Sequence, residues 1–228
     1  VGRWLSEDPI GFAAGDGNLY RYAHNEALLH TDANGLYRIT WGEWGGYGWP
    51  DGFRNMVVCS LWRIASRLPS LIQEIDADLK ALSDCIRCFL SKDLNALRAM
   101  LVKVLGGIRS SSEPLRFFRY EFDSSHIDAV AIQGPIFAIF GYPRAYIAFN
   151  QAVHPSWVEM PADEQDMYLF HELTHLYGSV DDDSKGELMN AHTISWLVVP
   201  GHTMRGNTIY MGMKREAARK CREPLPFE

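Results

Sequence analysis

The stretch that decides the fold reads Phe170-His171-Glu172-Leu173-Thr174-His175-Leu176-Tyr177-Gly178-Ser179-Val180-Asp181. His171 and His175 are four residues apart, so on an α-helix they lie on one face and both imidazoles can reach one metal ion. Glu172 is offset from His171 by about 100° around the helix and can lean over that ion as a general base. The stretch therefore predicts a helix that carries half of a metal site.

A third protein ligand should complete the site, because a catalytic Zn²⁺ binds three protein groups and keeps one position for water. Asp181 is the first choice. Gly178 reaches positive φ without strain, so the chain can turn back towards the histidines where the helix ends. Glu187 is the alternative third ligand. The competing interpretation is a surface helix whose two histidines have only structural partners.

The spacing His171-Glu172-x-x-His175-x-x-Gly178-x-x-Asp181 resembles the zinc signature of the metzincin metallopeptidases, in the variant with aspartate as third ligand. Downstream, the sequence from Glu187 to Asn190 resembles the Met-turn of that clan, in which Met189 would underlie the metal. The resemblance implies zinc bound by His171, His175 and Asp181, and peptide hydrolysis with Glu172 as the base.

A second resemblance involves the same residues. Gly178-Ser179-Val180-Asp181 and the later Asn190-Ala191-His192 are similar to the aspzincin pattern, in which a Gly-Thr-x-Asp element supplies the aspartate ligand. The choice between metzincin and aspzincin depends on the fold around the metal. Both resemblances imply an α+β zincin-like domain with a helical N-terminal part, a small sheet and an active-site helix.

Zincins usually carry one more side chain, which stabilises the oxyanion of the tetrahedral intermediate. No tyrosine occupies the usual place two residues after Met189. His192 is the first candidate, followed by Tyr210 and His202, so we expect His192 to be catalytic together with Glu172. The other histidines have no companion at metal-ligand spacing and are expected to be ordinary; they are His24, His30, His126 and His154.

The N-terminal segment, residues 1–36, is broken by glycine and proline into short extended pieces. It contains Asp8-Pro9-Ile10-Gly11 and, later, Asp32-Ala33-Asn34-Gly35-Leu36. The segment resembles the end of the core of Rhs-repeat proteins, polymorphic toxins whose β-cage encloses a variable C-terminal toxin. The resemblance implies self-cleavage after Leu36 with the help of Asp8 and Asp32, although Ala33-Asn34 stands where proline is usual.

The zincin-like and the Rhs-like resemblances together predict a zinc-dependent endopeptidase that forms the toxic tip of a secreted Rhs-type effector. Its substrate would be a protein of the target cell, and its further partners the Rhs cage and a cognate immunity protein. Two other functions are compatible with the sequence. The domain could be a non-catalytic binding module on a degenerate zincin scaffold, or a packaging element with a structural role.

Composition narrows the function classes. The chain has 228 residues, of which 47% are hydrophobic and 22% charged, with a net charge of −6. This acidity argues against a nucleic-acid-binding surface, which normally needs a basic stripe. No apolar run of about 18 residues predicts a membrane span, and the first residues lack the basic and apolar regions of a secretory signal. We therefore expect export to depend on another signal.

The four cysteines, Cys59, Cys85, Cys88 and Cys221, are too scattered to predict a disulfide scaffold. Cys85-x-x-Cys88 could be half of a zinc site or a redox pair. No second pair follows it in the sequence, so two small core or boundary residues are the expectation.

The expected organisation is an Rhs-core segment over residues 1–36, an aromatic and glycine-rich linker over 37–54, and a metallopeptidase domain over 55–228. Apolar periodicity predicts helices over 56–68, 71–90 and 92–105, with Pro69 ending the first. Strands are predicted over 116–122 and 145–153. In a zincin-like fold the second strand would be an edge strand that aligns the substrate backbone.

Overall fold

The computed structural model describes residues 39–43, 49, 52–109, 115–120, 129–133, 145–150, 154–179, 181, 187–204 and 206–224. The chain divides into two compact units. One comprises residues 1–59 and 105–159, and the other comprises residues 60–104 and 160–228. The proposed self-cleavage residues Asp8, Asp32 and Leu36 lie outside the described residues.

The first unit contains a four-stranded sheet. Its strands are β1 (Ile39–Glu43), β2 (Leu115–Tyr120), β3 (Ala129–Gln133) and β4 (Ala145–Asn150), in the order β1-β2-β4-β3. β1, β2 and β4 are parallel, and β3 is antiparallel to β4. A short helix, α3 (His154–Glu159), follows β4.

Aromatic side chains form the core of this unit. Trp41 stacks on Phe117 with ring centroids 5.3 Å apart, and Trp49 stacks on Phe53 at the same distance. Phe149 meets Phe53 edge-on at 4.9 Å. The prediction that aromatics of residues 37–54 pack against the domain is confirmed, and Ile39–Glu43 forms a strand instead of an irregular linker.

The prediction that residues 145–153 form an edge strand is wrong. β4 pairs with β2 on one side and with β3 on the other, so its backbone groups have partners in the sheet on both sides. The edge strand on that side of the sheet is β3, which the sequence analysis did not predict. Its sequence, Ala129-Val130-Ala131-Ile132-Gln133, is short and apolar, and such runs do not distinguish a strand from a helix.

Two long helices follow β1 where three were predicted, α1 (Phe53–Ala81) and α2 (Asp84–Arg109). Pro69 lies inside α1 and does not end it. A proline inside a helix costs about 3 kcal/mol, and burying a large apolar side chain contributes about 2 kcal/mol. Leu68, Leu71 and Ile75 are all buried on the face that continues past Pro69, which offsets the lost hydrogen bond.

The break between the two helices falls at Leu82 and Ser83, and Arg87 stabilises it. The Arg87 guanidinium donates hydrogen bonds to the carbonyls of Leu79, in the last turn of α1, and of Leu82, in the break that follows it. These carbonyls have no intrahelical partner, so a cation there also interacts favourably with the helix dipole.

The second unit contains α4 (Ala162–His175), α5 (Ala191–Ser195) and α6 (Thr208–Cys221), with 3-10 turns at Glu187–Met189 and Trp196–Val198. Arg63 of α1 holds α4 in place. Its guanidinium donates to both carboxylate oxygens of Asp166 at 2.7 to 2.9 Å, and Asp166 is 1% exposed. None of the described helices has both the length and the apolar character needed to cross a bilayer.

A disulfide between Cys85 and Cys221 joins the first turn of α2 to the last residue of α6. It corrects the expectation that Cys85 and Cys88 are only small core or boundary residues. Cys88 is exposed, and the partner of Cys85 is 136 residues further along the chain. Sequence spacing alone could not reveal this pair, because only the packing of α2 and α6 brings the two cysteines together.

A buried polar cluster joins α1 to α6. The Tyr210 hydroxyl donates a 2.7 Å hydrogen bond to Asp78, and the Lys214 ammonium lies 3.6 Å from the same carboxylate oxygen. All three side chains are buried. Tyr210 therefore has a structural partner, and its hydroxyl points to the interior.

Replacing Tyr210 with Phe removes this hydrogen bond and leaves the ring in place. We expect the free energy of unfolding to fall by about 2 kcal/mol, because the bond is buried and its acceptor is charged. Urea unfolding measures the change. A fall of less than about 0.5 kcal/mol would contradict the role given to Asp78.

Candidate metal centre

Helix α4 carries both histidines on one face, as predicted. It begins after Pro161, and Asp163 and Glu164 lie in its first turn, where acidic side chains complement the helix dipole. At its other end the Nε2 atoms of His171 and His175 lie 3.2 Å apart. The helix therefore presents two imidazole nitrogens at one point.

The turn after α4 directs the chain back to that point. Gly178 has φ of 110°, the left-handed conformation expected for it. The Ser179 amide donates to the Thr174 carbonyl, and the Gly178 amide donates to the His175 carbonyl. This pair of bonds is the Schellman arrangement, with Gly178 at the left-handed position. Two residues after Ser179 the chain reaches Asp181.

Asp181 completes the group of candidate ligands. Its Oδ1 lies 3.2 Å from His171 Nε2 and 3.0 Å from His175 Nε2. Ligand atoms about 2.0 to 2.1 Å from a tetrahedral zinc ion lie about 3.3 Å apart, so the three atoms fit one face of such a site. Glu187, the alternative third ligand, is exposed and is not part of this group.

The hydroxyls of Thr174 and Ser179 form a hydrogen-bond chain next to His171, His175 and Asp181. Ser179 Oγ donates to Thr174 Oγ1 at 2.8 Å, and Thr174 Oγ1 donates to the His171 carbonyl at 2.7 Å. His175 Nδ1 lies 3.3 Å from the Ser179 carbonyl. With the proton on Nδ1 donated to that carbonyl, the Nε2 lone pair of His175 faces the ligand group.

The environment keeps His171 neutral. Burial lowers its pKa to about 4, with further contributions from His175 and His192, while Asp181 and a hydrogen bond with the Ala191 backbone oppose the shift. A metal ligand has to be the neutral imidazole. His171 is therefore in the ligand form at neutral pH without losing a proton.

Glu172 lies beside the group and is not one of the three ligands. Its Oε1 is 4.0 Å from His171 Nε2, and its side chain is 12% exposed. A carboxylate at this distance can hydrogen-bond to a water on the metal, which is the position a general base requires.

His192 is the residue predicted to stabilise the oxyanion, and the structure brings it to the site. Its Nε2 lies 3.6 Å from Asp181 Oδ1, and its ring centroid lies 4.6 Å from that of His171. The side chain is 70% exposed, so it faces solvent beside the ligands. It stands in the first turn of α5.

Asn190 has a role at the site that the sequence analysis did not identify, although the residue belongs to the patterns named there. Its side-chain oxygen accepts from the His192 amide and caps α5, and its side-chain nitrogen lies 3.4 Å from the Asp181 carbonyl as a donor. One side chain thus connects the segment of Asp181 to the helix of His192. An asparagine directly before a helix is the sequence signal that could have identified the cap.

The remaining candidates lie elsewhere. The Tyr210 hydroxyl is bonded to Asp78, and His202 is exposed with its ring 5.8 Å from that of Trp196. Met189, of the expected Met-turn, is buried in a 3-10 turn and 8% exposed. Searches with models of protein families and among curated proteins found no match to this chain.

Gly178→Ala tests the turn that positions Asp181. No atom lies within 4 Å of the added methyl group, so the cost comes from the positive φ alone, about 1 to 2 kcal/mol. We expect lower stability and weaker zinc binding, measured by urea unfolding and by competition with a chelator. The control is Gly212→Ala inside α6, which also has open space and should stabilise by about 0.5 to 1 kcal/mol. Unchanged zinc binding in Gly178→Ala would contradict the role of the turn.

Proposed function

We propose that this chain is a zinc-dependent endopeptidase. The observation that carries the proposal is the agreement of three independent distances between His171, His175 and Asp181 with the edges of a tetrahedral zinc site. The donor set of two imidazoles and one carboxylate suits zinc and leaves a fourth position for water. The nearby Glu172 carboxylate distinguishes this site from a purely structural one.

Bound zinc would supply a Lewis acid for the substrate carbonyl and a water whose pKa falls to about 7. Glu172 takes the proton of the attacking water and later passes it to the leaving amine. His192, exposed beside Asp181, donates a hydrogen bond to the oxygen of the substrate carbonyl as negative charge develops on it. The Ser179 carbonyl holds His175 in the required tautomer throughout.

The biological setting is part of the proposal and is supported by the sequence of residues 1–36 alone. The chain would be the toxin of an Rhs-type effector, released from the Rhs cage by cleavage after Leu36 and delivered into a target cell. Its substrate would be a protein of that cell. A cognate immunity protein would protect the producer.

Glu172→Gln separates chemistry from metal binding. The glutamine keeps the size of the side chain and cannot take a proton, so we expect zinc binding as in the wild type and proteolysis reduced at least about 100-fold. Zinc content and the cleavage of a mixed proteome are measured together. The control is Glu164→Gln, an exposed glutamate on the same helix, which should keep full activity.

Two results would contradict the peptidase proposal. Cleavage retained by Glu172→Gln would remove the base from the mechanism. Zinc binding by a wild type that cleaves nothing would favour a non-catalytic binding module. His175→Ala should lose the zinc in either case, since it removes a ligand.

His192→Ala tests the oxyanion role. We expect kcat to fall about 100- to 1,000-fold with zinc content unchanged, because the side chain acts on the transition state and is not one of the three ligands. The matched control is His202→Ala, an exposed histidine beside Trp196, with kcat expected at the wild-type level. A large rise in KM at constant kcat would instead assign His192 to substrate binding.

A further inference from the structure

A second group of side chains that could hold a metal ion lies at the start of α2. The sulfur atoms of Cys85 and Cys221 and a carboxylate oxygen of Glu223 all lie within 4.8 Å of one another. Cys88 follows Cys85 by three residues on α2, which puts it on the same face of the helix. Cys85-x-x-Cys88 has the spacing of one half of a common structural zinc motif, and Cys221-x-Glu223 offers two further groups that can serve as the other half.

The backbone at the end of α6 supports this assignment. Arg222 has φ of 56° and is the only non-glycine residue with positive φ in the described part of the chain. This conformation costs a residue with a side chain about 1 to 2 kcal/mol. The Glu223 amide donates to the Ala218 carbonyl, and the Arg222 amide donates to the Arg219 carbonyl. The turn folds Glu223 back beside Cys221, so the strained residue places a carboxylate next to the sulfur atoms.

We propose that Cys85, Cys88, Cys221 and Glu223 form a structural zinc site that exists only in the reduced protein. In the oxidised form the disulfide occupies the two sulfur atoms. Two molecules of a low-molecular-weight thiol reduce the Cys85–Cys221 bond, giving two cysteine thiols and one disulfide of the reductant. Zinc then binds the cysteines as thiolates and displaces their protons to solvent.

The two states hold the same elements together by different means. The disulfide fixes the start of α2 to the end of α6 in an oxidising compartment, and zinc maintains the connection in a reducing one. Cys88 is exposed and free in the oxidised form. It joins the group as fourth ligand by rotation of its side chain, because neighbours three residues apart on a helix have their Cβ atoms about 5 to 6 Å apart.

The experiment counts zinc in the purified chain before and after reduction with a phosphine, which does not chelate zinc as a dithiol does. We expect a gain of about one zinc per chain on reduction. The same gain should appear in His175→Ala, so the result does not depend on the peptidase site. Cobalt in place of zinc should give thiolate-to-metal absorption only in the reduced protein. Equal zinc content in the two redox states would overturn the proposal.

Variants identify the ligands. Cys221→Ser should lose the reduction-dependent zinc, and Cys59→Ser, at an exposed free cysteine elsewhere, should keep it. Glu223→Gln retains the disulfide and therefore the fold, and we expect its reduced form to bind zinc at least about tenfold more weakly. Wild-type affinity in Glu223→Gln or in Cys88→Ser would overturn the four-ligand set.

Discussion

The arrangement of the candidate metal centre depends on one backbone turn, the reversal of the chain at Gly178. Helix α4 alone offers two imidazoles, fewer than the three protein groups that a catalytic zinc ion binds. The hydrogen bonds from Ser179 and Gly178 to the last carbonyls of α4 reverse the chain within a few residues and return Asp181 to the histidines. Only a residue without a side chain adopts φ of 110° without strain, so the position of Asp181 beside the two histidines depends on this glycine.

The same type of turn occurs at the end of α6, with a residue other than glycine at the left-handed position. There Arg222 takes the left-handed position, and Glu223 is folded back beside Cys221. In both places a helix ends in a Schellman turn, and the turn brings a carboxylate to groups that the helix already carries. One helix N-terminus also contributes to the candidate site, because Asn190 caps α5 and positions His192.

The helix of the site could be predicted because its information is local. The four-residue spacing of His171 and His175, the glycine three residues later and the aspartate after it all act within about two turns. The predictions from sequence patterns were wrong where an element is stabilised by residues that are distant in the chain. Pro69 did not end α1, because buried side chains on both sides of it outweigh one lost hydrogen bond. β4 proved to be an interior strand, because β3 pairs with it.

The sequence by itself placed His171, His175 and Glu172 at one end of a helix and Asp181 just after the turn that follows it, because helix geometry and one turn connect these residues. Only the tertiary structure decided which cysteine bonds to Cys85, since 136 residues separate it from Cys221. It likewise decided that the Tyr210 hydroxyl bonds to Asp78, and that His192 lies beside Asp181. Such contacts arise from the packing of separate helices, and no local spacing encodes them.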